Sequence, residues 1–528
     1  MEESEYVDNQ LTEEEKRQVA LYVTDVNADV FGFTENLPQN IAALLVTRNS
    51  RSQLLARKLL ATEFLTDTEE KTEAFFKRVL GAYGDDSVQE QQCITVQFEN
   101  VSMLLAKELE RSRFTSPIEK STRYIPFHLK DRTTGQYAFY RGEEIRAYNA
   151  AFYDAMVARN NELFDAYARW MPIVMGEIAA RMTEGERMIM SESVQRVVVR
   201  TKTLDAIRLV LPAGALTNVG ITANARTMES LCLKLQAHFM GEMANCGHAM
   251  QPVFQKLCPE FTRRYDPDVS TFAKDAIEYY HSLAPSECYT NPKDVRGEMD
   301  TREFSVSMEC FPMEENAVCR LIFFQHHMHY GMSREHCASL GDMDIRVALR
   351  SLVEKRKNRR FHVPRSFECF AFTFAFETDY KIWCDLQRHR ILSTDHQPLG
   401  CNIGYVVPDV ISQSAIHGEY LALMNSIREE YNYWLFSDQS VDARYLQYMV
   451  PMGFKMRWFW VVNLRELFHI LELRSAPEGH PTYRRICKTI YGLLQEKFPF
   501  LTSLMTFVQL QDVNFARAVS ATRSEMKK

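Results

Sequence analysis

At 528 residues the chain is longer than one hydrophobic core usually serves, so at least two domains are expected. A hydrophobic share of 46%, a charged share of 25% and a net charge of −7 fit a soluble globular protein and give no general ground for nucleic-acid binding. Twelve cysteines without a C-x-x-C pair suit reduced thiols. No apolar run nears the roughly 18 residues of a bilayer span, so a cytoplasmic protein without a membrane partner is expected.

In chain order, the opening 20 residues are polar, and Asn36-Leu37-Pro38 stands where a cap would start a helix at Gln39. Ile41, Leu44 and Leu45 keep helical spacing along it. Residues 69–83 read as an amphipathic helix, closed by a turn at 84–87. A strand is expected over 93–98 and a helix over 101–109, after which Ser116-Pro117 should break into a loop. Residues 130–142 are rich in turn formers, and 143–182 carry a long amphipathic pattern. A helix closes at Pro212, a strand follows over 216–223, and Asn224 is placed to cap the next helix. Asp266-Pro267, Ala284-Pro285 and Asn291-Pro292 mark residues 266–300 as a linker. Beyond it come strands over 369–376 and 455–462, and a helix opened by Asn463 and running to about Arg474.

This order contains a repeat. Aligning Arg111 on Arg388 also aligns Arg113 on Arg390 and Ser116 on Ser393. Each block follows an aromatic strand that opens near a glutamate, Glu90 or Glu368, and later comes an Asn-x-Arg helix start, Asn224 or Asn463. Arg208 then faces Gln447 in the alignment, each four residues before a proline. The two landmarks lie 113 residues apart in the first copy and 75 in the second, so about 38 extra residues fall in the helical stretch 130–182.

The pattern Arg-His-Arg, seven residues, Ser, then Arg-Tyr two places on resembles the motif of the flavin-dependent thymidylate synthases. The first copy reads Arg111-Ser112-Arg113, seven residues, Ser121, then Arg123-Tyr124. The second keeps Arg388-His389-Arg390 but has Pro398 for the serine and Gly400 for the arginine. The resemblance implies an α+β fold: two tandem copies of a mixed sheet-plus-helices unit, forming a pseudo-dimer. The first copy would span 1–265, with an N-terminal extension and the 130–182 insertion, and the second 301–528. A homodimer of such chains would rebuild a pseudo-tetramer. The implied reaction is methylation of dUMP to dTMP, with methylenetetrahydrofolate and NADPH as co-substrates and FAD as cofactor.

Residue roles follow from the same resemblance. Ser121, Arg123 and Arg474 would form the catalytic group, and Glu119, Ser121, Arg123, Arg208 and Arg474 would hold the nucleotide. FAD contacts would fall to Arg388, His389, Arg390, Arg111, Arg113, Asn224, Asn463, His469 and His362. The two copies have lost complementary parts, so a composite site is expected, pairing the 119–123 loop and Arg208 with Arg474. A flavoenzyme for another pyrimidine nucleotide, or an inactive nucleotide-binding or structural paralogue, remain as alternatives. His326-His327-Met328-His329 has suitable donors but poor spacing for a metal, so no metal is expected. The basic run 355–360 reads as a solvated helix end. Phosphate-loop, dinucleotide-fingerprint and H-E-x-x-H patterns are missing from the sequence.

Overall fold

The computed structural model of the protein describes residues 8–65, 88–188, 190–261, 265, 267, 268, 270–283, 302–311, 313–477 and 479–511. The helix expected at 69–83 and its turn at 84–87 lie outside the described residues. The elements used below are, in chain order, α1 (Gln39–Asn49), β1 (Cys93–Ser102), α2 (Met103–Glu110), β2 (Ser116–Glu119), α3 (Ala150–Ala180), α4 (Glu192–Ile207), β3 (Leu216–Asn224), α5 (Ala225–Gln236), α6 (Gly241–Leu257), α7 (Phe272–Ser282), β4 (Ser305–Cys310), α8 (Glu315–His327), α9 (Asp342–Glu354), β5 (Ala371–Asp379), α10 (Tyr380–Leu386), β6 (Leu392–His396), α11 (His417–Phe436), β7 (Lys455–Asn463), α12 (Leu464–Arg474) and α13 (Pro481–Lys497). No described helix is long and apolar enough to cross a membrane.

By proximity the chain forms two compact units, one of residues 1–99, 108–119 and 218–289, the other of 100–107, 120–217 and 290–528. This division differs from the consecutive halves expected around 266–300. Residues 120–217 pack with the second half of the sequence because α3 is tied there. Asn160 donates to the carbonyl of Tyr448 (3.2 Å), and the Trp170 indole N–H donates to Glu419 (2.9 Å).

The first unit carries an antiparallel sheet ordered β1-β3-β2. Alternation sets its buried face: Ile94, Val96 and Phe98 point inward between outward Cys93, Thr95 and Gln97. Ser116-Pro117 does not open a loop as expected. It begins a strand, with Pro117 opposite Ile221. At a sheet edge a proline lacking its N–H leaves no ladder bond unmade, so β2 tolerates it. Asn36 does not cap α1 either; its amide donates to the Leu21 carbonyl (2.9 Å), and Pro38 stands at the cap. Helix α7 lies where the linker was expected. It packs on α5, with Ala273 buried and His281 3.1 Å from the Ala237 carbonyl.

The second unit carries an antiparallel sheet ordered β4-β5-β7-β6. Phe372, Phe374 and Phe376 of β5 and Trp458, Trp460 and Val462 of β7 form its buried face. Phe376 stacks on its register partner Trp458 with ring centroids 3.9 Å apart. The order β5-β7-β6 repeats β1-β3-β2, and β4 is an added edge. The helix after each third strand is capped alike: the side chain of Asn224 accepts from Thr227 N–H (2.9 Å) and that of Asn463 from Glu466 N–H (2.8 Å).

Segments that the sequence alignment above pairs also meet inside the second unit. Pro212 and Pro451 form an isolated antiparallel bridge. Ala213 N–H donates to Val450 (2.8 Å), and Met452 N–H to Leu211 (2.9 Å). The residues before the prolines, Leu211 and Val450, are both extended, as the proline ring requires. The Tyr380 hydroxyl donates to the carbonyl of Met103, the residue that the Arg111–Arg388 alignment sets opposite it (3.3 Å).

Candidate active site

The residues that converge lie in the second unit. A turn after β2 is built on Ser121: its carbonyl accepts from Ile125 N–H (3.0 Å) and its hydroxyl from Arg123 N–H (3.3 Å). The turn aims Arg123 at α4, where Nε and Nη2 each reach a carboxylate oxygen of Asp205 at 2.6 Å. One helical turn later Arg208 is 1% exposed, with Nη1 donating to Thr122 Oγ1 (3.2 Å). Its Nη2 lies 3.5 Å from Asp205 and 3.6 Å from Asp385, at the end of α10. Arg208 Nε and Asp385 Oδ2 are buried without a hydrogen-bond partner among the described residues. Buried donors seldom stay so, and Arg208 Nε points to a polar ligand, whereas Asp385 Oδ2 faces Arg208 Nη2.

Arg474, the last residue of α12, joins from the other side. Its Nη2 donates to the Asp385 carbonyl (2.9 Å), its Nε to His389 Nε2 (2.8 Å), and the guanidinium lies 5.3 Å from the Tyr483 ring centre. Arg123, Arg208 and Arg474 are thus grouped around Asp385, with Lys381 buried on the same helix, α10.

The electrostatics follow from burial and mutual charge. Burial alone would raise Asp385, but Arg208, Lys381 and Arg123 outweigh it and hold the carboxyl well below its usual range. Burial likewise opposes ionisation of Asp205, and the surrounding positive charge, Arg208 foremost and then Arg123, reverses it. Burial would lower the Arg123 guanidinium, and Asp205 holds it above its ordinary value instead. Asp379, which caps α10 through Ile382 N–H (2.9 Å), is pushed up to about 7 by burial. Four cations (Arg123, Arg208, Arg474, Lys381) thus stand against two firmly ionised carboxylates, a balance suited to a dianionic phosphate.

His480, where α13 begins, is pushed down to about 4, chiefly by burial. Its Nδ1 accepts from Thr482 N–H (3.2 Å), which requires the neutral ring. A folded value below the unfolded one means full stabilisation above about pH 6.5, lost as pH falls toward the folded value. The stability difference between wild type and His480→Gln should therefore shrink by about 1.4 kcal/mol per pH unit below 6.5. Urea melts at pH 7.5, 6.0 and 5.0 measure this, and a pH-independent difference would contradict the neutral assignment.

The remaining expected residues are distributed as follows. Arg111, Arg113, Glu119 and Asn224 belong to the first unit, with Arg111 3.8 Å from Glu108 and Glu119 opposite Val219 in the sheet. Arg388 and His362 are exposed; Arg390 and His469 are half-buried, with the His362 and His469 rings 5.1 Å apart. His389 is buried between Arg474 and Glu466 rather than displayed beside Arg388 and Arg390. Sequence reading missed Asp205, Asp385, Glu466 and His480. Asp205 precedes Arg208 by three residues, a helical ion-pair spacing that could have found it. Asp385 has the same kind of signal, four residues after Lys381 and three before Arg388, whereas His480 carries none.

The residues aligned with Thr122, Arg123 and Arg208 are placed differently. Leu399 N–H donates to Gln447 Oε1 (3.0 Å), where the first copy has Thr122 and Arg208. A side chain at Gly400, the counterpart of Arg123, would begin 2.8 Å from the buried Tyr431 hydroxyl. The charged Arg208 is replaced there by the neutral amide of Gln447.

Comparison with known proteins adds family context. A family model described as thymidylate synthase complementing protein matches residues 34–260 and 319–500. A UPF0159 protein of Chlamydia pneumoniae is 32% identical over 98% of this chain and 99% of its own length. A flavin-dependent thymidylate synthase of Thermus thermophilus is 29% identical over 83 residues, 15% of this chain and 31% of that protein. A solved UMP/dUMP methylase from Streptomyces cacaoi, bound with 5-Br dUMP, matches 39% of this chain and 95% of its own at TM-score 0.31 and 16% identity.

Proposed function

Because this chain belongs to the thymidylate synthase complementing protein family, we propose that it methylates dUMP to dTMP, taking the carbon from methylenetetrahydrofolate and reducing equivalents from NADPH through FAD. The observation that carries this reading is the grouping of Arg123, Arg208 and Arg474 around Asp385, with the donor Arg208 Nε buried and without a hydrogen-bond partner among the described residues. Arg208 and Arg123 would meet the phosphate, with the Ser121 hydroxyl beside them. Arg474 would donate to a uracil carbonyl, where negative charge gathers as C5 becomes nucleophilic. Positioning by these donors is the chain's own share of the chemistry.

For FAD, the exposed Arg388 and His362 and the half-buried Arg390 and His469 are of the right kind: cations for phosphates and imidazoles for ring contacts. Asn463 has its side-chain oxygen committed to capping α12, leaving its amide N–H groups for a cofactor. Bound there, FAD would carry the redox step. In this reading two tandem copies form a pseudo-dimer, and two chains a pseudo-tetramer; the Pro212–Pro451 bridge between equivalent residues supports the tandem part.

A second reading is a nucleotide-binding relative without turnover. It is favoured by the bidentate hold of Asp205 on Arg123, which a phosphate must share or displace. The purified full chain should be yellow and bind dUMP, and it should oxidise NADPH only when dUMP and methylenetetrahydrofolate are both present. Flavin and dUMP binding without NADPH oxidation would select the second reading. A colourless protein without dUMP affinity would overturn both.

A further inference from the structure

Glu466, His389 and Arg474 form a hydrogen-bonded chain whose protons can be assigned from chemistry alone. His389 Nε2 lies 2.8 Å from Arg474 Nε, and His389 Nδ1 lies 3.3 Å from Glu466 Oε1. A guanidinium can only donate, so Nε2 must present its lone pair. The single proton of a neutral imidazole then sits on Nδ1, where it is donated to the Glu466 carboxylate. Burial, and next the charge of Arg474, hold the His389 ring well below its ordinary pKa. With Nε fixed by His389 and Nη2 by the Asp385 carbonyl, Nη1 is, among the described residues, the part of the guanidinium left to meet a ligand.

We propose that His389 is a positioning residue: as the Nδ1–H tautomer braced by Glu466, it fixes the Arg474 guanidinium for the nucleotide base. The proposal rests on the dUMP reading above for what Arg474 meets, but not for the tautomer. It gives His389 a task other than the flavin contact implied by the Arg388-His389-Arg390 motif. Glu466 stands three residues into α12 and Arg474 at its end, so one helix carries both outer members of the chain.

A metal centre is the rival for the same atoms. His389, Glu466 and His469 offer donor atoms within 4.8 Å of one another, a set that would suit zinc. A metal on His389 Nδ1 would move the ring proton to Nε2, setting it against the Arg474 Nε–H at 2.8 Å. The metal and the Arg474 contact therefore exclude each other. The charges of Arg474 on His389, Arg465 on Glu466 and Arg359 on His469 further disfavour a dication.

The test uses the full chain labelled with 15N-histidine, the His389 signal being identified by its loss in His389→Gln. Two-bond 1H–15N spectra should show Nδ1 protonated and Nε2 bare from pH 7.5 to 6.0. A protonated Nε2 overturns the proposal, as does one-to-one Zn2+ binding by calorimetry that His469→Ala abolishes. In parallel, dUMP affinity should fall on the order of 30-fold in His389→Leu, as expected when a charge-assisted hydrogen bond is lost. His389→Gln, whose amide can still accept from Arg474, should recover all but about 3-fold of that loss. On an Arg474→Ala background His389→Leu should add nothing, because its effect runs through Arg474; an additive loss counts against the proposal. Wild type that binds no dUMP overturns the nucleotide reading, and with it the target of Arg474, while the spectra still decide the tautomer.

Discussion

Arg208→Gln should weaken nucleotide binding on the order of 100-fold and destabilise the second unit, the largest single-residue effect expected in this protein. The substitution copies what the second repeat already carries, Gln447 at the equivalent position. Arg208 is buried between Asp205 and Asp385 at 3.5 and 3.6 Å. Removing one member of a buried charge group strands its partners and typically costs about 3–5 kcal/mol. Asp205 keeps Arg123, so the stranded charge is chiefly Asp385. Adding Asp385→Asn should therefore recover most of the lost stability. It should not recover affinity for dUMP, which falls on the order of 100-fold when charge-assisted bonds to a phosphate are lost. Chemical denaturation and calorimetry on single and double variants separate the two effects. Recovery of both by the double variant would mean that Arg208 is structural and does not meet the ligand.

Gly214→Ala should be the second most damaging change, although no charge is involved. A methyl group at Gly214 would sit 2.5 Å from the Tyr448 carbonyl oxygen, a backbone atom that cannot swing aside. The equivalent residue, Gly453, faces Leu209, whose carbonyl oxygen would be 3.0 Å away and its Cβ 3.1 Å. Overpacking against backbone costs about 3 kcal/mol at Gly214, and about 1 kcal/mol is expected at the slightly roomier Gly453. Both lie where the Pro212 and Pro451 segments exchange hydrogen bonds, and Gly453 N–H itself donates to Leu209 (2.8 Å). Leu209 follows Arg208 directly, so displacement at this seam should also weaken dUMP binding. Thermal melts of the two variants, with dUMP affinity alongside, measure the asymmetry. Equal tolerance of alanine at both positions would contradict the close approach of these backbones.

Much of the local architecture could be read from residue order. The strands at 216–224 and 455–463 follow from β-branched and aromatic alternation, and the helices after them from Asn224 and Asn463, whose side chains make the expected caps. The matched Arg blocks and the two proline corners were legible for the same reason, since each needs only neighbours in sequence. Where local reading failed, a distant partner had intervened. Ser116-Pro117 became a strand because β3 was there to pair with it, and residues 272–282 became a helix because α5 offered it a face.

Residue order alone sets which cations exist, where the helices are capped, and that Ser121, Thr122, Arg123 and Arg208 align with Pro398, Leu399, Gly400 and Gln447. Tertiary structure decided which charges those cations face. Asp205 and Asp385 close on Arg208, His389 turns to Arg474 rather than outward beside Arg388, and Tyr431 occupies the space next to Gly400. The reason is physical: caps and alternation depend on atoms a few bonds away, whereas a buried charge is satisfied by whichever segment the fold carries to within about 3–4 Å of it.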